Sequence, residues 1–127
     1  MIAVDTSALM AILLSEPKAM ACVSVLEAED ELVISAGTVA EAMIVSRVRH
    51  VADEMNALIS GLGFEVVPVT GERAERIARA YASWGRGAHP AGLNFGDCFA
   101  YELAKERNCP LLFVGADFSK TDLGSAL

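Results

Sequence analysis

Short apolar runs recur along the chain, and most of them lack strict alternation of polar and apolar residues. A strand covered on both faces by helices shows this pattern, because both of its faces are buried. The sequence therefore predicts four short parallel strands. They are Ile2 to Val4, Leu32 to Ile34, Phe64 to Val69, and Leu111 to Val114.

Helical patterns fill the intervals between these runs, and the last two helices carry apolar residues at spacings of three and four. The predicted helices are Thr6 to Ser15, Lys18 to Glu27, Thr38 to His50, Ala52 to Ser60, Glu72 to Trp84, and Gly96 to Arg107. Alternating strands and helices predict an α/β fold. The expected architecture is a three-layer sandwich, with a short parallel sheet flanked by helices.

Composition fits one core. The chain has 127 residues, of which 54% are apolar, and its mean hydropathy is +0.41. No internal repeat, linker or low-complexity stretch divides it. We therefore expect a single domain over residues 1–127.

Cysteine usage and the N-terminal sequence both bear on the compartment. The three cysteines, Cys22, Cys98 and Cys109, have neither zinc-ligand nor redox spacing, which favours small buried thiols in a reduced protein. The N-terminus lacks the basic flank of a signal peptide, and the apolar run from Ala8 to Leu14 is too short to span a bilayer. These features predict a cytoplasmic protein without a membrane partner.

A net charge of −7 argues against a nucleic-acid partner, because phosphate binding depends on Lys and Arg. The positive charge is concentrated, however. Arg73, Arg76 and Arg79 recur every third residue and form a stripe, here called the arginine stripe, along a predicted helix. Arg86 and His89 follow in the next loop. One interpretation is a solvated helix face with Glu72–Arg76 and Glu75–Arg79 pairs. The other is contact with phosphates.

Four acids fall where predicted strands end or predicted helices begin: Asp5, Glu41, Asp97 and Asp117. The carboxyl ends of parallel strands meet at one edge of a sheet, and a first-turn residue of a helix entered from that edge points back over it. Clustered carboxylates repel by about 4 kcal/mol per pair at 4 Å, so they need protons or a cation. With oxygen ligands alone, the preferred ion is Mg²⁺ or Mn²⁺.

Each acid also has a structural interpretation. Thr38 and Glu41 have the spacing of a capping box, as do Asn94 and Asp97. Asp5 is placed to cap the helix after the first strand, and Asp117 is a common turn residue. These alternatives stay open for each residue taken alone.

Four segments in order resemble the successive motifs of PIN-domain ribonucleases, and among these the VapC-type toxins of bacterial toxin–antitoxin pairs. The segments are Met1 to Leu9, Thr38 to Glu41, Leu93 to Tyr101, and Leu111 to Asp122. The resemblance implies a PIN-like fold and Mg²⁺- or Mn²⁺-dependent endonucleolytic cleavage of RNA. It also implies a VapB-type antitoxin as inhibitor, and a homodimer.

By position, the resemblance implies that Asp5, Glu41, Asp97 and Asp117 are the family's acidic quartet. Thr6 and Asn94 match its polar positions, and Asp122 matches a frequent extra acid outside the core set.

The expected mechanism combines the resemblance with the charge argument. Asp5, Asp97 and Asp117 hold one or two ions, and Glu41 completes the acidic set and orients or deprotonates the attacking water. Cleavage then leaves a 5′-phosphate and a 3′-hydroxyl. For the dimer, the apolar stretches from Met10 to Leu14 and from Met43 to Val45 are candidate surfaces, and core packing is the alternative for both.

Two other functions remain possible from the residues. A non-catalytic PIN-like interaction module is one of them. A metal-dependent phosphatase is the other, although Ser7 stands where such enzymes place a second aspartate two residues after the first. A nucleotide switch is disfavoured, because the chain has no Gly-x-x-x-x-Gly-Lys loop.

Overall fold

Strands and helices alternate along the chain as predicted. The computed structural model describes residues 1–127 and contains four strands and six helices. They are β1 Ile2–Val4, α1 Thr6–Leu13, α2 Ala19–Ala28, β2 Leu32–Ser35, α3 Ala36–Val48, α4 Ala52–Leu62, β3 Glu65–Val67, α5 Gly71–Trp84, α6 Phe95–Arg107 and β4 Leu111–Leu112.

The four strands form one parallel sheet in the order β3-β2-β1-β4. In the register, Ile2 lies opposite Leu32, and Val4 lies opposite Leu112. β1 and β2 are therefore central, and residues that follow them emerge at the middle of one sheet edge.

Helices cover both faces of the sheet. Alternate residues of a strand point to opposite faces, so Ala3 packs with α5 and α6, whereas Ile2 and Val4 pack with α1, α2, α3 and α4. Each face has its own buried cluster, and both clusters include fully buried side chains such as Leu103 and Leu9. This arrangement confirms the predicted three-layer α/β sandwich.

Two strands are shorter than predicted. β3 stops at Val67 because Pro68 has no backbone N–H to donate to the sheet. β4 stops at Leu112, since its neighbour β1 ends at Val4 and the chain then turns into α1. The residues after β4 therefore leave the sheet earlier than the apolar run to Val114 suggests.

The arginine stripe has partners that the sequence analysis did not predict. Arg76 Nε donates to Glu102 on α6 at 3.0 Å, and Arg73 Nη1 donates to the same carboxylate at 3.2 Å. The predicted Glu72–Arg76 and Glu75–Arg79 pairs do not form. Arg73 and Arg76 thus join α5 to α6.

All three cysteines are free; Cys22 and Cys98 are buried and Cys109 is partly buried. They pack as small apolar side chains, as predicted. None of the six helices combines the length and the apolar character needed to cross a bilayer.

Candidate active site at the carboxyl edge of the sheet

Asp5 lies directly after β1 and caps the N-terminus of α1. Its Oδ2 accepts hydrogen bonds from Ser7 N at 3.0 Å and from Ser7 Oγ at 2.6 Å. The residue is only 3% exposed. Its other oxygen, Oδ1, is buried without any hydrogen-bond partner, which is costly for a carboxylate. The predicted capping role is confirmed, and it leaves one oxygen unused.

Asp97 is the third residue of α6, where it forms the predicted capping box with Asn94. Asp97 N donates to Asn94 Oδ1 at 2.9 Å, and Asn94 N donates to Asp97 Oδ2 at 3.0 Å. The reciprocal bonds hold the buried carboxyl group at the start of the helix. Capping and a place in the candidate site are therefore compatible for this residue.

The capping box predicted for Thr38 and Glu41 is wrong. Ser35 caps α3 instead, accepting a hydrogen bond from Gly37 N at 3.2 Å, so the helix begins two residues before Thr38. Glu41 then lies in the second turn. Its Oε1 accepts a 2.6 Å hydrogen bond from Thr6 Oγ1, which belongs to the first turn of α1. The glutamate consequently points toward the residue that follows Asp5.

A close approach between α3 and α6 fixes the other side of the Glu41 carboxylate. A β-carbon added at Gly96 would collide with Glu41 Oε2. Glycine at this position, one residue before Asp97, leaves room for the Glu41 carboxylate in its present conformation, and any larger residue would require that carboxylate to move. Gly96 was not identified as a site residue from the sequence, although the Asn-Phe-Gly-Asp segment contains it.

Asp5 and Asp97 both have raised pKa values, and neighbouring acids contribute to both shifts. The pKa of Asp5 is raised to about 7, mainly by burial and in part by the nearby Asp97 and Glu41, although the hydrogen bonds from Ser7 oppose the shift. Burial also raises the pKa of Asp97 to about 6; the Asn94 amide and Arg86 oppose the shift, whereas Asp117 and Glu41 add to it. The charges of Asp97 and Glu41 therefore act on Asp5, and those of Asp117 and Glu41 act on Asp97.

The acids do not form a ready set of ligands around one point. No three carboxylate, histidine or cysteine side chains lie close enough together to hold one ion by themselves. Asp117 is exposed, in the loop that follows β4. It therefore lies at the mouth of the site, while Asp5 and Asp97 are buried.

Asp122 has a separate role. It accepts hydrogen bonds from Tyr101 Oη at 2.7 Å and from Lys105 Nζ at 2.8 Å. Although desolvation opposes the charge, these bonds lower the pKa of Asp122. The residue ties the C-terminal segment to α6 and is not among the charges that act on Asp5 or Asp97.

The family profile for the PIN domain matches residues 2–123 of this chain. The chain belongs to the PIN domain family. The match confirms the resemblance noted in the sequence, and it covers every acid of the candidate site.

Similar PIN domain proteins carry ribonuclease names. The chain is 46% identical over 129 residues to VapC ribonuclease Mb0625 of Mycobacterium bovis and, equally, to ribonuclease VapC28 of Mycobacterium tuberculosis. Both alignments cover 98% of this chain and 96% of the relative. Ribonuclease VapC36 of Mycobacterium tuberculosis is 44% identical over 124 residues, covering 94% of this chain and 89% of that protein.

Two solved structures share the fold of this PIN domain at low sequence identity. Mycobacterium tuberculosis VapC20, described as a sarcin–ricin loop cleaving toxin, superposes with a TM-score of 0.77 at 16% identity. The alignment covers 97% of this chain and 96% of that one. A toxin–antitoxin complex from Klebsiella pneumoniae gives a TM-score of 0.70 at 20% identity, covering 96% and 93%.

Proposed function

We propose that this chain is the toxin of a toxin–antitoxin pair and an endoribonuclease that depends on Mg²⁺ or Mn²⁺. Relatives 46% identical over nearly the whole chain are named ribonucleases. The observation that carries the proposal is the pair of buried acids Asp5 and Asp97 at the carboxyl edge of the sheet, with the half-buried Glu41 beside them.

The donor atoms fit a hard divalent cation. Asp5 Oδ1 is buried without a partner, and the charged groups that act on Asp5 are the carboxylates of Asp97 and Glu41. Mg²⁺ is usually bound through one or two carboxylates, with water and substrate phosphates as its other ligands, so three converging side chains are not required. Asp5 and Asp97 would hold the ion, and Asp117 would add a carboxylate from the mouth.

When bound, such an ion offsets the charge of the attacked phosphodiester and helps to activate water. Glu41 is the residue placed to orient a water and accept its proton, because it is half-buried, lines the cavity at the site, and accepts a hydrogen bond from Thr6 beside Gly96. Hydrolysis of this kind leaves a 5′-phosphate and a 3′-hydroxyl.

An antitoxin has a groove beside the site to occupy. A cavity of about 270 Å³ reaches Glu41, and its lining includes Ile44, Phe95 and Phe99. Ile44 and Phe95 are 66% and 71% exposed, which is unusual for such large apolar side chains. A partner segment with apolar residues in this groove and a basic residue at Glu41 would block the acidic cluster.

A homodimer would use a second apolar surface. A cavity of about 480 Å³ between α5 and α6 is lined only by apolar or aromatic side chains and cysteine, including Ala78, Tyr81 and Phe99. Of the stretches suggested by the sequence, Met10 to Leu14 begins in the core, because Met10 is buried. Met43, in contrast, is 46% exposed and remains a candidate contact.

The test is cleavage of total RNA by the purified protein. We expect cleavage with Mg²⁺ or Mn²⁺, none with a chelator, and a loss of at least about 100-fold in Asp97→Asn, because removal of one group that stabilises a transition state costs about 10²- to 10³-fold. Asparagine preserves the capping acceptor, so the fold should persist.

Asp53→Asn is the matched control. Asp53 also lies in the first turn of a helix, α4, but it is exposed and outside the site. It should leave the rate unchanged. Cleavage that survives in Asp97→Asn and in chelator would refute the mechanism, and an inactive wild-type protein would favour a non-catalytic module. Mapping of the RNA ends checks the predicted 5′-phosphate.

A further inference from the structure

The Ser7 hydroxyl joins two segments that are far apart in the chain. Its Oγ donates to Asp5 Oδ2 at 2.6 Å and accepts a hydrogen bond from Val114 N at 3.0 Å. Val114 is 107 residues away and lies just beyond β4. One hydroxyl group thus contacts the first acid of the site and the segment that leads to Asp117.

The sheet cannot supply this contact. The last main-chain bond between β1 and β4 runs from Asp5 N to Leu112 O at 3.0 Å. After Asp5 the chain enters α1, and Asp5 O accepts from Ala8 N inside the helical turn. The Ser7 hydroxyl therefore takes the place of a main-chain acceptor where β1 has ended.

The contact lies between Asp5 and the segment that continues to Asp117. The hydrogen bond to Ser7 holds the backbone at Val114. The next residue, Gly115, has a φ of +101°, a conformation that favours glycine, and the chain then continues to Asp117. On the other side, both Ser7 donors go to Asp5 Oδ2, which leaves Oδ1 as the unpartnered oxygen.

We infer that Ser7 is a positioning residue for the candidate metal site: its hydroxyl couples the orientation of Asp5 to the path of the segment that carries Asp117. The inference rests on the nuclease function proposed above. Ser7 acts through the two carboxylates and does not itself contact the substrate. Loss of the hydroxyl should weaken cation binding while the fold persists.

The experiment is a Mn²⁺ titration of the purified protein, followed by electron paramagnetic resonance. We expect Ser7→Ala to weaken Mn²⁺ binding by about 10- to 100-fold, the usual range for a residue that orients metal ligands. Ser7→Cys should behave in the same way at nearly unchanged side-chain size, which guards against a folding defect of the alanine variant. Ser7→Thr retains the hydroxyl and should restore most of the affinity.

Ser46→Ala is the control, because Ser46 is another helical serine, fully buried, whose hydroxyl donates to Met43 O, away from the acids. It should leave the Mn²⁺ affinity unchanged. An affinity equal to wild type in both Ser7→Ala and Ser7→Cys would overturn the inference.

A double-mutant cycle with Asp117→Asn separates positioning from general destabilisation. If Ser7 acts on the Asp117 segment, Ser7→Ala should weaken Mn²⁺ binding less in the Asp117→Asn background than in the wild type. Fully additive effects would contradict the coupling. A wild-type protein that neither binds Mn²⁺ nor cleaves RNA would instead refute the proposed function, so the two failures are distinguishable.

Discussion

Asp5 and Glu102 are both buried acids, with exposures of 3% and 4%, but their neighbours differ. Glu102 accepts hydrogen bonds from the guanidinium groups of Arg73 and Arg76, which neutralise it. Asp5 has no basic partner: its donors come from Ser7, and the charges acting on it belong to Asp97 and Glu41.

The contrast separates two uses of a buried carboxylate. At the α5–α6 interface the charge is paired, and the pair links two helices. At the sheet edge none of the four acids forms an ion pair. Uncompensated burial of like charges lowers stability, so it is expected where a function requires those groups.

The strongest test of the paired carboxylate at the α5–α6 interface is the removal of Glu102. Glu102→Ala removes the buried partner of Arg73, whose side chain is only 13% exposed, and leaves it only the bond to the partly exposed Glu106 at 3.2 Å, so the loss should fall at the lower end of the usual range. Breaking a buried pair typically costs about 3 to 5 kcal/mol in the free energy of unfolding. Urea unfolding should show a loss of this size, with cleavage per folded molecule unchanged.

Arg79→Ala is the matched control on α5, because Arg79 is exposed and has no ion-pair partner. Its effect should stay within about 0.5 kcal/mol. A loss below about 1 kcal/mol in Glu102→Ala would mean that the ion pairs of Glu102 do not stabilise the α5–α6 interface, and the contrast with Asp5 would fail.

For the unpaired acids at the sheet edge we expect the opposite effect: removal of the Asp5 charge should increase the free energy of unfolding. The pKa of Asp5 is raised from 3.8 to about 7, so the folded chain keeps this proton to higher pH than the unfolded chain. Its contribution to the free energy of unfolding therefore falls as pH rises from about 4 to about 7 and is level above that. Asp5→Asn removes this penalty.

In chelator, Asp5→Asn should thus be more stable than wild type, and the difference should grow by about 2 to 3 kcal/mol between pH 5 and pH 8, at about 1.4 kcal/mol per unit of pKa. Thermal and urea unfolding at both pH values measure it. A difference independent of pH would mean that the Asp5 charge does not titrate in this window. The same variant should be inactive in RNA cleavage.

The fold was accessible from the sequence because its signals are local, and the same local signals marked the four acids as candidates. Apolar runs mark the strands, and Asp5 and Asp117 follow two of them. The capping boxes show the limit of local patterns: Asn94 and Asp97 form one, whereas Ser35 displaces Thr38 as the cap of α3. Equal spacing therefore gave one correct and one incorrect structural interpretation.

The contacts that hold the site are long-range, and no spacing rule reveals them. Thr6 and Glu41 are 35 residues apart, and Ser7 and Val114 are 107 apart. The same reason explains the arginine stripe, because Arg76 pairs with Glu102, 26 residues away, in preference to Glu72 on its own helix. The number of converging ligands likewise depends on packing between elements.

Gly96 tests whether the unpaired acids are held in place by shape as well as by charge. In Gly96→Ala the added β-carbon would displace the Glu41 carboxylate. Cleavage should fall by about 10- to 100-fold, as when an orienting residue is lost. Helix propensity favours alanine, so a large loss of stability is not expected. Gly61→Ala in α4, where the β-carbon meets nothing within 4 Å, should keep full activity.

Arg86 should give the smallest effect; it is a base whose charge acts on the buried Asp97 and lowers its pKa. Its backbone is fixed by the bond from Arg86 N to Leu93 O at 3.0 Å, close to the start of α6, and its side chain is exposed without an ion pair. A free guanidinium at the rim is suited to an RNA phosphate.

Arg86→Ala should raise the KM for RNA a few-fold and reduce the salt dependence of binding by about one phosphate contact, with kcat nearly unchanged. Arg79→Ala, at an exposed position earlier in the chain on α5, should change neither. An unchanged salt dependence in Arg86→Ala would mean that Arg86 lowers the pKa of Asp97 but does not contact the RNA.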